Sequence, residues 1–351
     1  MGRIPVPQAL AGAAALLRAG GLDEDKAAAV ARRLIDADLL GHSTHGLRML
    51  PIYLERLADG RIARSGTIDV LQDHGAAFSW QANRLPGAWV MERFVAAALE
   101  RSAMHPVVTA TLANCTHIGA LQAYMDPFAE RKLLALMMVT DPAVASVAAP
   151  GGVQPVTTTN PIGACIPTND APLLVDLSTT LMSNSAAATY AAAGRKLPGD
   201  WLVDNAGRPT DDPKALTTNP PGTLMPLGGA DFGYKGFAFG LLVEAFALAL
   251  AGFGRDAPRS RGAQGVFLQV VSPEAFGHGR DAFLASMSHL VAQCHAGPAA
   301  PGASIRLPGE RALARRRQQL EEGLQLEADI PPLLDAWARK LGLERFASPS
   351  T

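Results

Sequence analysis

The chain has no excess of charge of either sign: 31 Lys and Arg stand against 32 Asp and Glu. That balance excludes the basic footprint with which proteins hold nucleic acid or an anionic membrane surface. One basic run, Arg311 to Arg317, is bordered by Glu310, Glu321 and Glu322, the pattern of a solvated helix face. Only three cysteines occur, Cys115, Cys165 and Cys294, far apart and odd in number, which excludes a disulfide framework. No Cys/His spacing resembles a zinc site, so no metal is expected. The opening Met-Gly-Arg-Ile-Pro-Val lacks an apolar signal core, and Val6 stands where myristoylation wants Ser or Thr. The longest apolar run, 237–251, is short for a bilayer and carries Glu244. These absences lead to the expectation of a soluble, cytoplasmic protein with neither nucleic-acid nor membrane partners. Charged residues make up 18% and hydrophobic residues 48%, a composition that excludes disorder, and 351 residues suffice for two domains.

What is present reads as helices first and a mixed α/β pattern afterwards. Helices are expected over 5–20 and, after Asp23 as N-cap, up to Gly41, with apolar residues recurring at helical spacing. A third is expected over 47–57. Strands are expected at 67–71, 77–80, 107–112, 133–139, 173–180 and 265–271, with helices at 89–101 and 120–131 among them. Residues 150–235 are rich in Gly, Pro and Thr and read as loops, the last of them (225–236) entering a helix over 237–251 at Lys235, where anions are held. A polar linker over 254–262 and helices at 282–292, 310–321 and 330–341 complete the chain. Polar residues gather at strand ends, where α/β proteins bind ligands.

The chemistry concentrates in Gly41-His42-Ser43-Thr44-His45-Gly46-Leu47-Arg48, just past a helix end, with Tyr53 following. Histidine passes protons near neutral pH, and a guanidinium fork matches a carboxylate. Together they suit a 2-hydroxy or 2-oxo acid, although a polar helix end with a capping histidine reads the same way. No Gly-x-Gly-x-x-Gly follows a strand and no Walker-type loop exists, so a nicotinamide cofactor here is not held by a Rossmann domain.

Six motifs occur in order: Thr44-His45-Gly46 with Pro51 and Tyr53; Asn114 to Gly119; Thr159-Asn160-Pro161; Asp176-Leu177-Ser178; Gly228-Gly229 with Lys235-Gly236; and Leu307-Pro308-Gly309-Glu310-Arg311. From about residue 8 to 345 the chain thereby resembles the malate/L-lactate dehydrogenase family, also called sulfolactate dehydrogenase-like. The resemblance implies an α/β (α+β) fold in which a helical, dimerising domain (1–65 with 255–351) joins a central cofactor domain (66–254) with a mixed, mostly antiparallel sheet. It implies an NAD- or NADP-dependent oxidoreductase and a homodimer. The reaction it implies is hydride transfer at C2 of a small 2-hydroxy or 2-oxo carboxylate; reduction of a cyclic imino acid is the alternative, and a catalytically silent metabolite-binding homologue a third reading.

Site residues carry over by position. His45 matches the family's acid/base, with Thr44 in place of its serine as the orienting hydroxyl; His117 matches a second histidine that some members use instead, and His45 is preferred. Arg48, Tyr53 and Thr159 are the expected substrate contacts, but the family's carboxylate-binding arginine lies four positions after the histidine, where Met49 stands, and Arg48 is one position early. The implied cofactor contacts are His117, Ile118, Gly119, Ala120 and Leu121; Thr140 and Asp141; Asp176, Leu177 and Ser178; Lys235; and Arg306, Gly309, Glu310 and Arg311. Asp176 suits ribose hydroxyls, and Lys235 and Arg311 suit phosphates.

Overall fold

The structure, a computed structural model, describes residues 3–256 and 262–346. Helices Val6–Ala19, Glu24–Leu40 and Leu50–Ala58 pack with the late helix Ile330–Lys340 around Leu16, Leu17, Ile35, Leu50 and Leu57, all essentially sealed from solvent. The second helix ends as its sequence dictates: Gly41 takes a left-handed conformation (φ 90°) and its N–H bonds back to the helix. Asp23 precedes that helix but makes no side-chain cap; its carboxylate pairs with Lys26 at 2.6 Å instead.

Beside this helical layer stands a seven-stranded sheet. Its spatial order is Asp69–Asp73, Ala77–Gln81, Val107–Thr116, Ala263–Val271, Leu134–Thr140, Ile162–Ile166, Leu173–Leu177. Only the pair 77–81 and 107–116 is parallel; every other neighbour is antiparallel, as the resemblance implied. Helix Gly87–Arg101 covers one face through Val90, Met91 and Phe94. Strand 263–271 sits mid-sheet because its Val-Phe-Leu run is buried on both faces. The expected division at residue 255 would have grouped this strand with the helices; it is the strand that joins the sheet's two halves.

Several local expectations need correction. The helix expected over 120–131 is a 3₁₀ turn, Leu121–Tyr124, then a separate short helix, Asp126–Glu130, which Pro127 opens because its fixed φ suits a first turn. The expected loop 225–236 is already helix from Gly229, so Lys235 lies in the second turn rather than at the helix start. Gly236 serves close packing there, not flexibility: a Cβ on it would meet the Leu227 backbone at 2.4 Å. The Gly/Pro/Thr-rich middle also holds helix Asn184–Ala192, capped by the Ser183 hydroxyl (3.1 Å to Ala186 N), and a small three-stranded sheet. The expected linker 254–262 lies partly outside the described residues.

The helix Gly229–Glu244 continues as a π-helical turn, Ala245–Ala249. The continuous 21 residues are long and apolar enough, by length and composition, to cross a membrane, so the apolar stretch is longer than the sequence run suggested. Its inner side is tied down by polar groups. Glu244 pairs with Arg255 (2.8 Å) and accepts from Asn160 Nδ2 (2.8 Å). Arg255 also donates to the carbonyls of Asp141, Pro142 and Val144, so one half-buried network joins helix, sheet end and loop.

Candidate active site

His45 lies in a 3₁₀ turn, Ser43–His45, immediately after the Gly41 helix stop. The turn is held from beneath by Asp38, whose buried carboxylate accepts the Leu47 N–H at 2.8 Å. Gly46 leaves room for that carboxylate: a Cβ there would lie 2.0 Å from Asp38 Oδ1. Burial pushes the Asp38 carboxyl from 3.8 up to about 7, only partly offset by the Leu47 N–H. The native chain thus binds a proton that the unfolded chain has released between those values, and stability falls as pH rises through them. The two values correspond to a cost of up to about 4 kcal/mol once both states are ionised. Chemical denaturation at pH 5 and pH 8 is therefore expected to show a smaller pH-dependent loss in Asp38→Asn than in the wild type; equal losses would contradict this assignment.

The Thr44 hydroxyl bonds His45 Nδ1 at 2.9 Å, leaving Nε2 as the ring nitrogen open to a ligand. Behind it the His117 ring stacks at 5.6 Å between centroids and 19° between planes, and Tyr53 Oη meets His117 Nδ1 at 2.7 Å. Burial lowers the basicity of both imidazoles; for His45 the nearby Asp176 opposes the shift and His42 adds to it. His117 is pushed down to about 3 by burial and then by His45, so it is neutral at any working pH. Burial raises the Tyr53 hydroxyl, which stays protonated.

His45 and Thr44 line a cavity of about 220 Å³ together with Thr159, Ser178 and Ser183. The expected residues Gly119, Ala120 and Leu121 also line it. His117 and Tyr53 do not line it; they back His45 from the protein side. His42, Asp176 and Leu177 belong both to this cavity and to an adjoining groove of about 610 Å³, so the two form one elongated depression. The groove runs past Gly309 to Arg306 and Arg311, and neither guanidinium makes an ion pair or hydrogen bond among the described residues. Asp176 is aimed by the Gln122 backbone N–H (3.0 Å), and Gln122 Oε1 accepts from His42 Nε2 (2.7 Å). An acidic acceptor midway and two guanidiniums at the far end are the donor set that a ribose diol and phosphates require, so the residues present fit a dinucleotide.

Other expected contacts lie elsewhere. Arg48 is committed to the segment before the last helix: Nη1 to Asp329 at 2.7 Å, Nη2 to Asp329 at 2.9 Å and to Glu327 at 2.5 Å. Two carboxylates hold it, and it does not line the cavity, which corrects its assignment as substrate clamp and catalytic residue. Thr140 and Asp141 are buried and spent internally, Thr140 on Asn160 (2.6 Å) and Asp141 on the N–H groups of Ala143 and Gly262. The Ile118 backbone is used by Gln264 and Tyr124. Glu310 caps Leu307 N–H and pairs with His295, and Lys235 lies over the Phe232 ring; neither lines the depression.

Among the residues that sequence reasoning left out of the site, His42, Gln122 and Ser183 carry polar groups into it. His42 stood inside the polar cluster and was open to notice. Ser183 preceded a helix hidden by its Ala/Ser composition.

The malate/L-lactate dehydrogenase family model matches residues 4–332. A "Malate/(S)-sulfolactate dehydrogenase" from Methanothermus fervidus is 28% identical, covering 94% of this chain and 95% of its own. A "Delta(1)-pyrroline-2-carboxylate/Delta(1)-piperideine-2-carboxylate reductase" from Pseudomonas syringae pv. tomato is 31% identical, covering 89% and 90%. Among solved structures, malate dehydrogenase from Entamoeba histolytica superposes with a TM-score of 0.90 at 22% identity, covering 97% and 98%, a likeness of fold.

Proposed function

Because the chain belongs to the malate/L-lactate dehydrogenase family, whose members are NAD(P)-dependent dehydrogenases and reductases, we propose that it interconverts a small 2-hydroxy carboxylic acid and its 2-oxo counterpart in the cavity beside His45. The observation that carries this reading is His45 itself: a desolvated imidazole, fixed at Nδ1 by Thr44, with Nε2 open toward a cavity continuous with the dinucleotide-fitting groove. A nicotinamide cofactor held by this groove would supply the hydride chemistry at C2. His45 gives a proton to the C2 oxygen in reduction and removes one in oxidation. Thr44 holds the ring and its tautomer. His117 and Tyr53 form its rigid, dry backing, and the Thr159 hydroxyl contacts the substrate. Asp176, Ser178, Arg306 and Arg311 would hold the cofactor.

The lowered His45 basicity sets a pH dependence. Oxidation needs the neutral ring and is expected to be sustained through neutral and alkaline pH. Reduction needs the protonated ring and is expected to rise as pH falls. The first test is fluorescence titration with NADH and NADPH. Saturable binding of either is the expected result; binding of neither would remove the oxidoreductase reading. Identity to the cyclic-imine reductase supports a second substrate class, and Δ1-piperideine-2-carboxylate belongs in the same assay.

A homodimer through the outer face of the Gly229–Ala249 helix belongs to the same reading, supported by exposed Phe239, Leu241, Leu242 and Phe246. Light scattering at micromolar concentration checks it. None of the three cysteines is in a disulfide, which supports a cytoplasmic location.

A further inference from the structure

The cavity beside His45 has a charge inventory that discriminates among acids. Among the described residues that line it there is no lysine or arginine, and its one carboxylate is Asp176. Arg48, the nearest cation in sequence, has both terminal nitrogens on Asp329 and Glu327. The polar remainder is the hydroxyls of Thr44, Thr159, Ser178 and Ser183, and His42, whose Nε2–H is given to Gln122 and lies 3.9 Å from the Asp176 carboxylate. Leu121, Pro161 and Leu177 complete the wall with apolar surface.

A single carboxylate beside the reacting carbon is served here. The Thr159 and Ser183 hydroxyls, which donate to no protein group among the described residues, are available to it, and protonated His45 supplies a counter-charge during reduction. A second acid group on the side chain finds no counter-charge, and Asp176 repels it. An unpaired charge desolvated in such a space is strongly disfavoured, whereas an alkyl or aryl side chain meets matching surface. We infer that the substrate is a monoacid with an uncharged, apolar side chain, and that dicarboxylate and sulfonate 2-oxo acids are excluded. The inference rests on the oxidoreductase reading above. It separates this chain from the malate and sulfolactate that the name of the Methanothermus fervidus relative carries.

The test uses the full chain with NADH or NADPH and four probes: 2-oxobutyrate, phenylpyruvate, oxaloacetate and 3-sulfopyruvate. Absorbance at the reduced nicotinamide band gives kcat/KM, and quenching of the bound cofactor's fluorescence gives Kd without turnover. The expected result is that the better monoacid exceeds both dianions by at least ~100-fold in kcat/KM, with the same order in Kd, the scale on which a buried unpaired group discriminates. A Leu177→Arg variant, which adds a cation to the half-exposed wall, is expected to raise kcat/KM for oxaloacetate at least ~10-fold without raising it for phenylpyruvate. Oxaloacetate or 3-sulfopyruvate equal to or better than the monoacids in the wild type would overturn the inference. Failure to bind either cofactor would overturn the oxidoreductase reading, and the inference with it. Cofactor binding with the expected Kd order but no turnover would overturn the proposed reaction alone.

Discussion

Replacing His45 by alanine lowers kcat by about 10²–10⁴-fold, the range general acid–base catalysis supplies, while the Kd of the reduced cofactor stays within about threefold. Loss of the imidazole removes the proton donor without touching Asp176, Arg306 or Arg311, which is why binding and turnover separate. His117→Asn is expected to act less severely and through KM and kcat together. His117 stacks on the His45 ring and is too weakly basic to carry a proton near neutrality. Single-turnover kinetics of the two variants settle the assignment. A near-normal His45→Ala beside an inactive His117→Asn would exchange the roles.

The largest effect on stability is expected from Arg255→Met. The change leaves Glu244 (16% exposed) without its partner and three carbonyls without their donor. Breaking a buried pair from one side costs roughly 3–5 kcal/mol; Arg255, 24% exposed, places the cost toward the lower end. Removing both charges together, as Glu244→Met with Arg255→Met, is expected to recover much of that loss, because no lone charge remains buried. Denaturant unfolding of the three variants gives the comparison. A double variant no more stable than Arg255→Met would mean that the Asn160 contact or the freed carbonyls, not the stranded charge, set the cost.

Much of this architecture was legible because local rules and tertiary packing agree. Gly41 stops a helix in the sequence and takes the left-handed conformation in the fold, and the run from Val107 reads as a strand and is one. Reading failed where one residue type serves two ends. Gly233 and Gly236 suggest a loop, yet both are helical, and Gly236 is there because the Leu227 backbone crosses where a Cβ would stand. The histidine and hydroxyl cluster was visible as chemistry, and the structure brings Thr44, His45, Thr159, Asp176 and Ser178 to one depression. Arg48 could not be placed from spacing alone, because its direction is set by Glu327 and Asp329, some 280 positions away. The same holds for Thr140 and Asp141, polar residues at a strand end that look free for a ligand until Asn160 and Gly262 claim them.

The place of strand Ala263–Val271 bears on how the chain matures. Strands Val107–Thr116 and Leu134–Thr140 are near in sequence but never touch as a pair; each hydrogen-bonds to 263–271 on opposite sides. During synthesis both must wait, with open edges, for a segment made more than a hundred residues later. Unpaired edges of this kind are the surfaces through which nascent chains associate wrongly. Until residue 263 is made, the shared partner of both strands is missing, and a single nine-residue strand closes both edges at once.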